Sequence, residues 1–380
     1  MDLVASAASR FRRRAPGAPG GFVIESTGAM TNKLVLVTGA PGWLGSRLVE
    51  VLLKGLPDVP ALARPEPGIA IRCLIAEGID PGPLAQLSSR IEFVTGDVRD
   101  PRSLEPLFRG ARGATLFHLA GIIHPRRIHE LYEINHLGTL NVCEAAARAG
   151  VRRIVAVSSN SPAGCNGRPD HVFDETSPYN PYMHYGRSKK LAEDVVNGAF
   201  RTGRIETVIV RPCWFYGPNQ PLRQTRFFRM IREGKAPVVG SGESRRSMSY
   251  VDNTCQGLLL AAREESAAGR TYWIADRRPY TMNEIIATVE RLLEREFGIA
   301  VAHRRMRLPN IASEVALAAD KLLQGIGVYV PEIHVLSELN KNISASTALA
   351  EKELGYDPKV SLEEGMRRSI RWCLDSGLAL

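Results

Sequence analysis

The sequence predicts an α/β protein built on a doubly wound parallel sheet, and three observations carry that expectation. From Lys33 onward, short β-branched runs alternate with longer stretches of helical periodicity, the order that yields parallel β-α-β units. The runs themselves, LVLVTG, IRCLIA, IEFVTGD, TLFHLAG, RIVAVSS and TVIVRP, are almost wholly apolar instead of alternating, so the sheet is expected to carry helices on both faces. The first run passes directly into the glycine-rich TGAPGWLG and then the helical SRLVEVLL. A sheet of this kind binds its ligand at the carboxyl ends of the strands.

Taken in order, residues 1–29 are rich in Ala, Arg, Gly and Pro and lack the apolar stretch of a secretory signal. They are expected to form a disordered tail, with an organelle-targeting segment built on Arg10, Arg12, Arg13 and Arg14, or an upstream start before Met30, as the alternatives. The turn that follows holds Gly39, Gly42 and Gly45, with Trp43 and Leu44 between the last two. Glycines there permit a tight turn and a close approach of backbone to a pyrophosphate, which the helix N-terminus stabilises. The spacing is G-x-x-G-x-x-G, and its place at the first β-α junction favours dinucleotide binding over an ordinary loop. No basic residue follows the second strand, and Glu77 is the first acid after it. That favours NAD over NADP, while leaving open that Glu77 is only a solvated loop residue.

The fifth strand ends in VSSNSPAG, which brings Ser158 and Ser159 to the same edge as the glycine turn, either as ordinary turn formers or as hydroxyls able to hold a reacting oxygen. Asn180 and Pro181 are expected to start a helix, as cap and first-turn residue, through YMHYGRSKKLAEDVV. Tyr185 and Lys189 then share one face. A neighbouring ammonium and an oxidised nicotinamide both stabilise a phenolate, so such a pair could move a proton near neutral pH.

Past residue 212 the alternation gives way to WFYGPNQPLRQ, to SGESRRSMSYVDN and to helices near 253–264, 281–296 and 361–376. The expected organisation is a dinucleotide-binding domain over 31–212, joined by segments of 249–275, with most of 213–380 forming a smaller substrate domain. In IASEVALAADKLLQGIGVYV the apolar Ile311, Val315, Ala319 and Leu322 recur at helical spacing, which predicts a core-facing helix; Glu314, Asp320 and Lys321 interrupt any membrane span. Arg223, Arg226 and Arg229, three apart, make either a solvated stripe or a basic strip beside an anionic substrate.

Composition narrows the class. The formal charge of +9 is spread along 380 residues, which suits an anionic small molecule or cofactor and not a nucleic-acid arm. Six scattered cysteines without a C-x-x-C pair suggest neither a disulfide framework nor a zinc site, so no metal is expected and a reducing cytoplasm fits.

With these motifs in order, the chain resembles an extended short-chain dehydrogenase/reductase of the nucleotide-sugar epimerase and 3β-hydroxysteroid dehydrogenase superfamily, over roughly residues 33 to 375. The resemblance implies a Rossmann fold and a catalytic set of Ser159, Tyr185 and Lys189, the lysine also contacting the nicotinamide ribose. It implies adenine binding by Asp97, with Val98, in TGDVRDP. Cofactor contacts are further implied at His118, Leu119, Ala120 and Gly121 in HLAG, and at Pro212 in RPCWFYGPN. Asn135 is implied to be architectural. The family's dehydratases carry an Asp-Glu pair where this chain has Asn160 and Ser161, which disfavours dehydration. Arg246 matches an arginine that binds pyrophosphate in nucleotide-sugar members, and Asn160 and Arg126 are the other expected substrate contacts.

The implied function is therefore NAD(P)-dependent hydride transfer at a secondary alcohol or ketone, with NAD favoured and NADP the alternative, epimerase-like on a nucleotide sugar. The alternative is a hydroxysteroid dehydrogenase or dihydroflavonol reductase-like enzyme acting on an apolar alcohol, because RLPNIASEVALAADKLLQGIGVYVPEI resembles the C-terminal helices of that branch. A non-catalytic NAD(P) sensor is a third reading, opposed by the intact Ser-Tyr-Lys set. The expected partners are a small-molecule substrate and a second copy in a homodimer, with no nucleic acid.

Overall fold

The structure, a computed structural model, describes residues 33–380; the tail expected over 1–29 lies outside the described residues. Seven strands form one parallel sheet: β1 Leu34–Thr38, β2 Ala70–Ile75, β3 Ile91–Thr95, β4 Thr115–His118, β5 Arg153–Val157, β6 Glu206–Pro212 and β11 Thr271–Ile274. Their order is β11-β6-β5-β4-β1-β2-β3, with every neighbour parallel. The order reverses between β1 and β4, which opens a crevice at their carboxyl ends. As expected from their apolar runs, the central strands are buried on both faces, Val35, Leu36 and Val37 completely.

The remaining strands are short: β7 Trp214–Tyr216 pairs with β10 Met248–Tyr250, β8 Pro237–Val239 with β13 Met306–Leu308, and β9 Arg245–Arg246 with β12 Tyr280–Thr281. The helices are α1 Trp43–Lys54, α2 Glu105–Phe108, α3 His129–Leu131, α4 Gly138–Ala149, α5 Met183–Arg201, α6 Leu222–Arg232, α7 Val251–Arg263, α8 Met282–Arg295, α9 Ile311–Gly325, α10 Pro331–Glu338, α11 Ala348–Leu354 and α12 Leu362–Asp375. A π-helical segment, Tyr132–Leu137, leads into α4.

Three apolar cores explain the layering. On one face of the sheet, Leu48, Val49 and Leu52 of α1 pack with Leu258 and Leu259 of α7, and Leu354 and Tyr356 join them. On the other face, Leu107, Val142, Ala146 and Val196 come from α2, α4 and α5. A separate core joins Phe228 and Ile231 of α6, Ile285, Val289 and Leu292 of α8, and Met366 and Ile370 of α12. Helix α8 starts where Thr281 and Glu284 cap each other: the Glu284 amide donates to Thr281 Oγ1 at 3.1 Å, and the Thr281 amide to Glu284 Oε2 at 2.8 Å.

Two expectations need correction. Asn180 and Pro181 do not begin α5, which starts at Met183. The Asn180 amide donates to Pro162 O and the Tyr182 amide to Ser161 O, both at 3.0 Å. These bonds hold the segment extended against the loop after β5, so the local helix-start signal loses to tertiary hydrogen bonding. The adjustment leaves Met183 at φ 54°, a conformation that a side-chain-bearing residue adopts at some cost.

The second correction is α9. It forms, but it does not face the core: Ile311, Val315 and Leu322 are 67%, 62% and 71% exposed, while Ser313, Asp320 and Gln324 are buried. Asp320 Oδ2 lies 2.7 Å from His334 Nδ1 of α10, Gln324 Nε2 donates to Asp320 Oδ1 at 2.9 Å, and Ser313 Oγ donates to Leu336 O at 2.7 Å. The buried face of α9 is chosen by polar bonding to α10 instead of by apolar periodicity. No helix among the described residues is long and apolar enough to cross a membrane.

Candidate active site

The glycine turn is a cradle that side chains would fill. Gly39 has φ 77°, and a Cβ on it would come within 2.8 Å of the Ala120 amide; a Cβ on Gly45 would stand 2.1 Å from Gly39 O. The first position therefore lies against the end of β4, and the third lets α1 close on the turn. Gly42 caps α1 without a side-chain hydrogen bond, and no acid occupies the first helical turn, so the amides there are free to meet an anion. These features fit the pyrophosphate of a dinucleotide. The side chains of Trp43 and Leu44 point elsewhere: Trp43 Nε1 donates to Pro218 O at 2.6 Å, and Leu44 packs between two of the cores.

At the end of β4, His118 is buried between Thr38 and Thr139. Its Nδ1 lies 2.8 Å from Thr38 Oγ1 and its Nε2 lies 3.0 Å from Thr139 Oγ1. Because Thr139 Oγ1 already donates to Asn135 O at 2.6 Å, it accepts from Nε2, and Nδ1 accepts from Thr38. Burial, aided by the Lys189 charge, lowers His118 to about 3, so the ring is a neutral clip between strands and a helix. Its side chain is thus committed within the protein, and Leu119, Ala120 and Gly121 follow it along the crevice.

Asn135, in the π-helical segment, brackets the same corner. Its Oδ1 accepts from the Ile122 amide at 2.9 Å, and its Nδ2 donates to Ile122 O and to Ser188 Oγ, each at 3.0 Å. Asp97, with the buried Val98 beside it, follows β3; its carboxylate pairs with Arg99 at 2.6 Å, and that bond holds it below the usual carboxylate range. Glu77 stands exposed past β2, and Pro212 is buried at the end of β6.

The fold separates the two serines after β5. Ser158 Oγ donates to Glu193 Oε1 at 2.5 Å, within a buried cluster where Arg211 also pairs with Glu193 at 2.6 Å and Tyr179 OH donates to it at 2.7 Å. Ser159 Oγ makes long contacts, 3.4 Å to Asn160 Oδ1, 3.4 Å to Ser161 Oγ and 3.3 Å from the donating Ser161 amide, and it stands beside Tyr185. Ser158 is structural and Ser159 keeps its hydroxyl available. Burial pushes the Tyr185 phenol up to about 12, and the Ser159 hydroxyl beside it works in the opposite direction. Lys189 is buried; its Nζ donates to Val157 O at 2.7 Å, and burial lowers it to about 8 against the raising effect of Glu193.

The NAD dependent epimerase/dehydratase family matches residues 35–275. The chain belongs to this family. Among relatives, the uncharacterized protein y4nL of Sinorhizobium fredii is 50% identical over 345 residues, covering 90% of this chain and 96% of its own. The 3 beta-hydroxysteroid dehydrogenase type 7 of Homo sapiens is 30% identical over 378 residues, covering 90% and 96%. Among solved structures, DesIV, a dTDP-glucose 4,6-dehydratase of Streptomyces venezuelae with NAD and TYD bound, superposes with TM-score 0.68 at 26% identity, covering 90% of this chain and 97% of that one. The chain is accordingly an NAD-dependent enzyme of the extended short-chain dehydrogenase/reductase type.

In this family member, the side of the site facing the smaller core is polar and was largely invisible in the sequence. Arg246 on β9 is 6% exposed; one guanidinium nitrogen donates to Glu338 O, Nε has no partner, and the group sits 5.7 Å over the Trp214 ring. It has no carboxylate partner among the described residues. Tyr182 OH and Ser337 Oγ lie 2.6 Å apart, His124 Nδ1 and Tyr329 OH 2.8 Å apart, and the charges of Glu338 and Arg223 reach Tyr185 and His124 respectively. Burial, with Arg223, lowers His124 to about 4. Burial also opposes charge on His334, but its Asp320 bond and the Glu338 charge hold it above its ordinary value.

Sequence reasoning missed His124, Tyr182, Tyr329 and His334, since lone aromatic and histidine residues far apart in the chain carry no spacing signal. Of the basic stripe, Arg223 approaches this wall, while Arg226 and Arg229 line an open groove of about 450 Å³ with Met230, Lys235 and Met306. Asn160 flanks Ser159. Arg126 is exposed on the loop that follows β4, its backbone amide donating to Glu130 Oε2 at 2.9 Å.

Proposed function

We propose that the protein is a nucleotide-sugar epimerase that removes a hydride from a secondary alcohol of its substrate and returns it to the other face. The observation that carries this reading is Arg246, a buried guanidinium with no carboxylate partner beside the Tyr185 wall. A buried cation without a counter-ion is costly, and a substrate diphosphate would supply the missing charge. NAD, when bound, supplies the hydride acceptor. Ser159 holds the reacting oxygen, and Tyr185 Oη, ionised in the NAD-bound enzyme, takes the hydroxyl proton as the alcohol becomes a ketone; the resulting phenol gives that proton back when the hydride returns. Lys189 and the cradle of Gly39, Gly42 and Gly45 hold the dinucleotide, while Asn160 and Ser161 offer no acid for eliminating water. In this reading 31–212 with 249–275 binds NAD, and most of 213–380 shapes the substrate side.

The dehydrogenase reading has one observation in its favour, the α9–α10 pair packed over the Tyr182 side of the site together with the 30% identity to a hydroxysteroid dehydrogenase. The experiment that separates them follows the hydride. Protein purified without added cofactor is expected to carry NAD and to isomerise a UDP- or dTDP-sugar with no lasting change in nicotinamide absorbance. The Arg246→Leu substitution should raise KM for that sugar by about tenfold to a hundredfold, with kcat less affected. Stoichiometric reduction of free NAD by an apolar alcohol, with no sugar nucleotide isomerised, would replace this reading by the dehydrogenase one.

A further inference from the structure

Helix α9 is inverted with respect to its sequence. At 100° per residue, Ile311, Val315, Ala318, Leu322 and Ile326, which follows the helix end, fall in a stripe about 80° wide. That stripe faces solvent; Leu322 and Ile326 are each 71% exposed. The inward face is held by Ser313, Asp320 and Gln324, so α9 cannot turn over without breaking the bonds to His334 and Leu336. Beyond α9 the apolar surface continues at the mouth of the site. Val328 precedes Tyr329, which bonds His124; the loop of His124 carries the exposed Ile123, and Arg223, whose charge reaches both His124 and Tyr329, follows the exposed Leu222.

Cations predominate around this surface; the acids beside them are Glu332 of α10, whose charge reaches His124, and Glu130, which accepts from the Arg126 amide at 2.9 Å. Arg304 and Arg307 lead into α9, Lys321 lies on its flank, and Arg126, Arg127 and Arg223 stand at the mouth. None of the six has a carboxylate within ion-pair distance among the described residues. The acids of α9 are engaged, Glu314 with Lys341 and Asp320 with His334.

We propose that this face is a peripheral docking surface for an anionic lipid bilayer, with the stripe of α9 lying in the interfacial plane and the arginine rim on the headgroups. An apolar stripe flanked by unpaired cations matches such a surface in both chemistry and charge. A second copy of this chain fits less well, because a two-fold contact would set one basic rim against another. Docking in this way would present the mouth of the site to a substrate held in the membrane, and it stands independently of the epimerase reading.

The test is flotation of the full-length protein with vesicles of phosphatidylcholine, with and without phosphatidylglycerol. Binding is expected only to the phosphatidylglycerol vesicles, and it should weaken as salt is raised. Leu322→Ser with Ile326→Ser should cut the bound fraction by about tenfold, and Arg304→Gln with Arg307→Gln should weaken binding by about fivefold per charge removed. Both pairs should leave the melting temperature and NAD affinity unchanged, since these side chains are exposed and remote from the glycine turn. Three results would overturn the proposal: no flotation at low salt, flotation unaffected by the serine substitutions, or a dimer in sedimentation that those substitutions dissociate.

Discussion

Tyr185 and Lys189 occupy one wall, but burial acts on them in opposite senses: it keeps the phenol protonated and makes the ammonium easier to lose. Tyr185→Phe is expected to lower kcat by about a thousandfold while NAD binds within about threefold of wild type, because only the transferable proton is removed. Turnover assays alongside NAD titration check this. For Lys189 the direction follows from its value of about 8. In its proposed role it is charged below that pH and attracts the dinucleotide; above it the charge is lost. NAD affinity is therefore expected to fall as pH rises from 7 to 9, and Lys189→Met should bind NAD weakly with a flat pH profile, as isothermal titration would show. The same substitution should leave the melting temperature at pH 7 unchanged or higher, because a desolvated cation has been removed.

At the level of elements, the strand-turn-helix unit β1-α1 shows how sequence becomes site. Gly39 must adopt φ 77° and approach the end of β4, and Gly45 must let α1 fold over the turn. Gly45→Ala drives a methyl group into Gly39 O, so the turn has to open. Loss of about 2 kcal/mol or more of stability is expected, together with an NAD affinity reduced beyond detection; thermal melts and NAD titration measure both. A variant that melts normally and still binds NAD would show that the turn does not hold the dinucleotide. Elements were legible where one local signal agreed with the global fold, as in β1 through β6 and in α8 with its Thr281–Glu284 cap. They were misread where long-range polar bonds overrode a local signal, at the start of α5 and on the buried face of α9.

Across the whole molecule, one buried carboxylate ties the large core to the smaller one. Asp276 follows β11 and accepts from Tyr216 OH at 2.6 Å, the Tyr250 amide at 3.0 Å and Asn253 Nδ2 at 2.9 Å; Asn253 in turn donates to Val360 O at 2.9 Å. Asp276→Ala leaves these donors unpaired and is expected to cost about 3 kcal/mol in denaturant unfolding. Burial raises Asp276 to about 6 from an ordinary 3.8. The folded protein therefore holds this proton more tightly than the unfolded chain, and its contribution to stability falls as pH rises from about 4 to about 6. Asp276→Asn removes that slope, so the stability difference between variant and wild type should shift in favour of the variant across this window.

By itself, the sequence determined the parallel sheet and the glycine turn at its first junction, both of which rest on residues near one another in the chain, where conformational preference and spacing act directly. The Ser159, Tyr185 and Lys189 set came instead from the family resemblance. Tertiary structure alone decided that Ser158 is spent on Glu193, that Arg246 lies buried without a counter-ion, that His124, Tyr182, Tyr329 and His334 meet beside the site, and that α9 turns its apolar side outward. These outcomes depend on contacts between residues tens to hundreds of positions apart, and on a competition between polar bonding and apolar burial that no local pattern records.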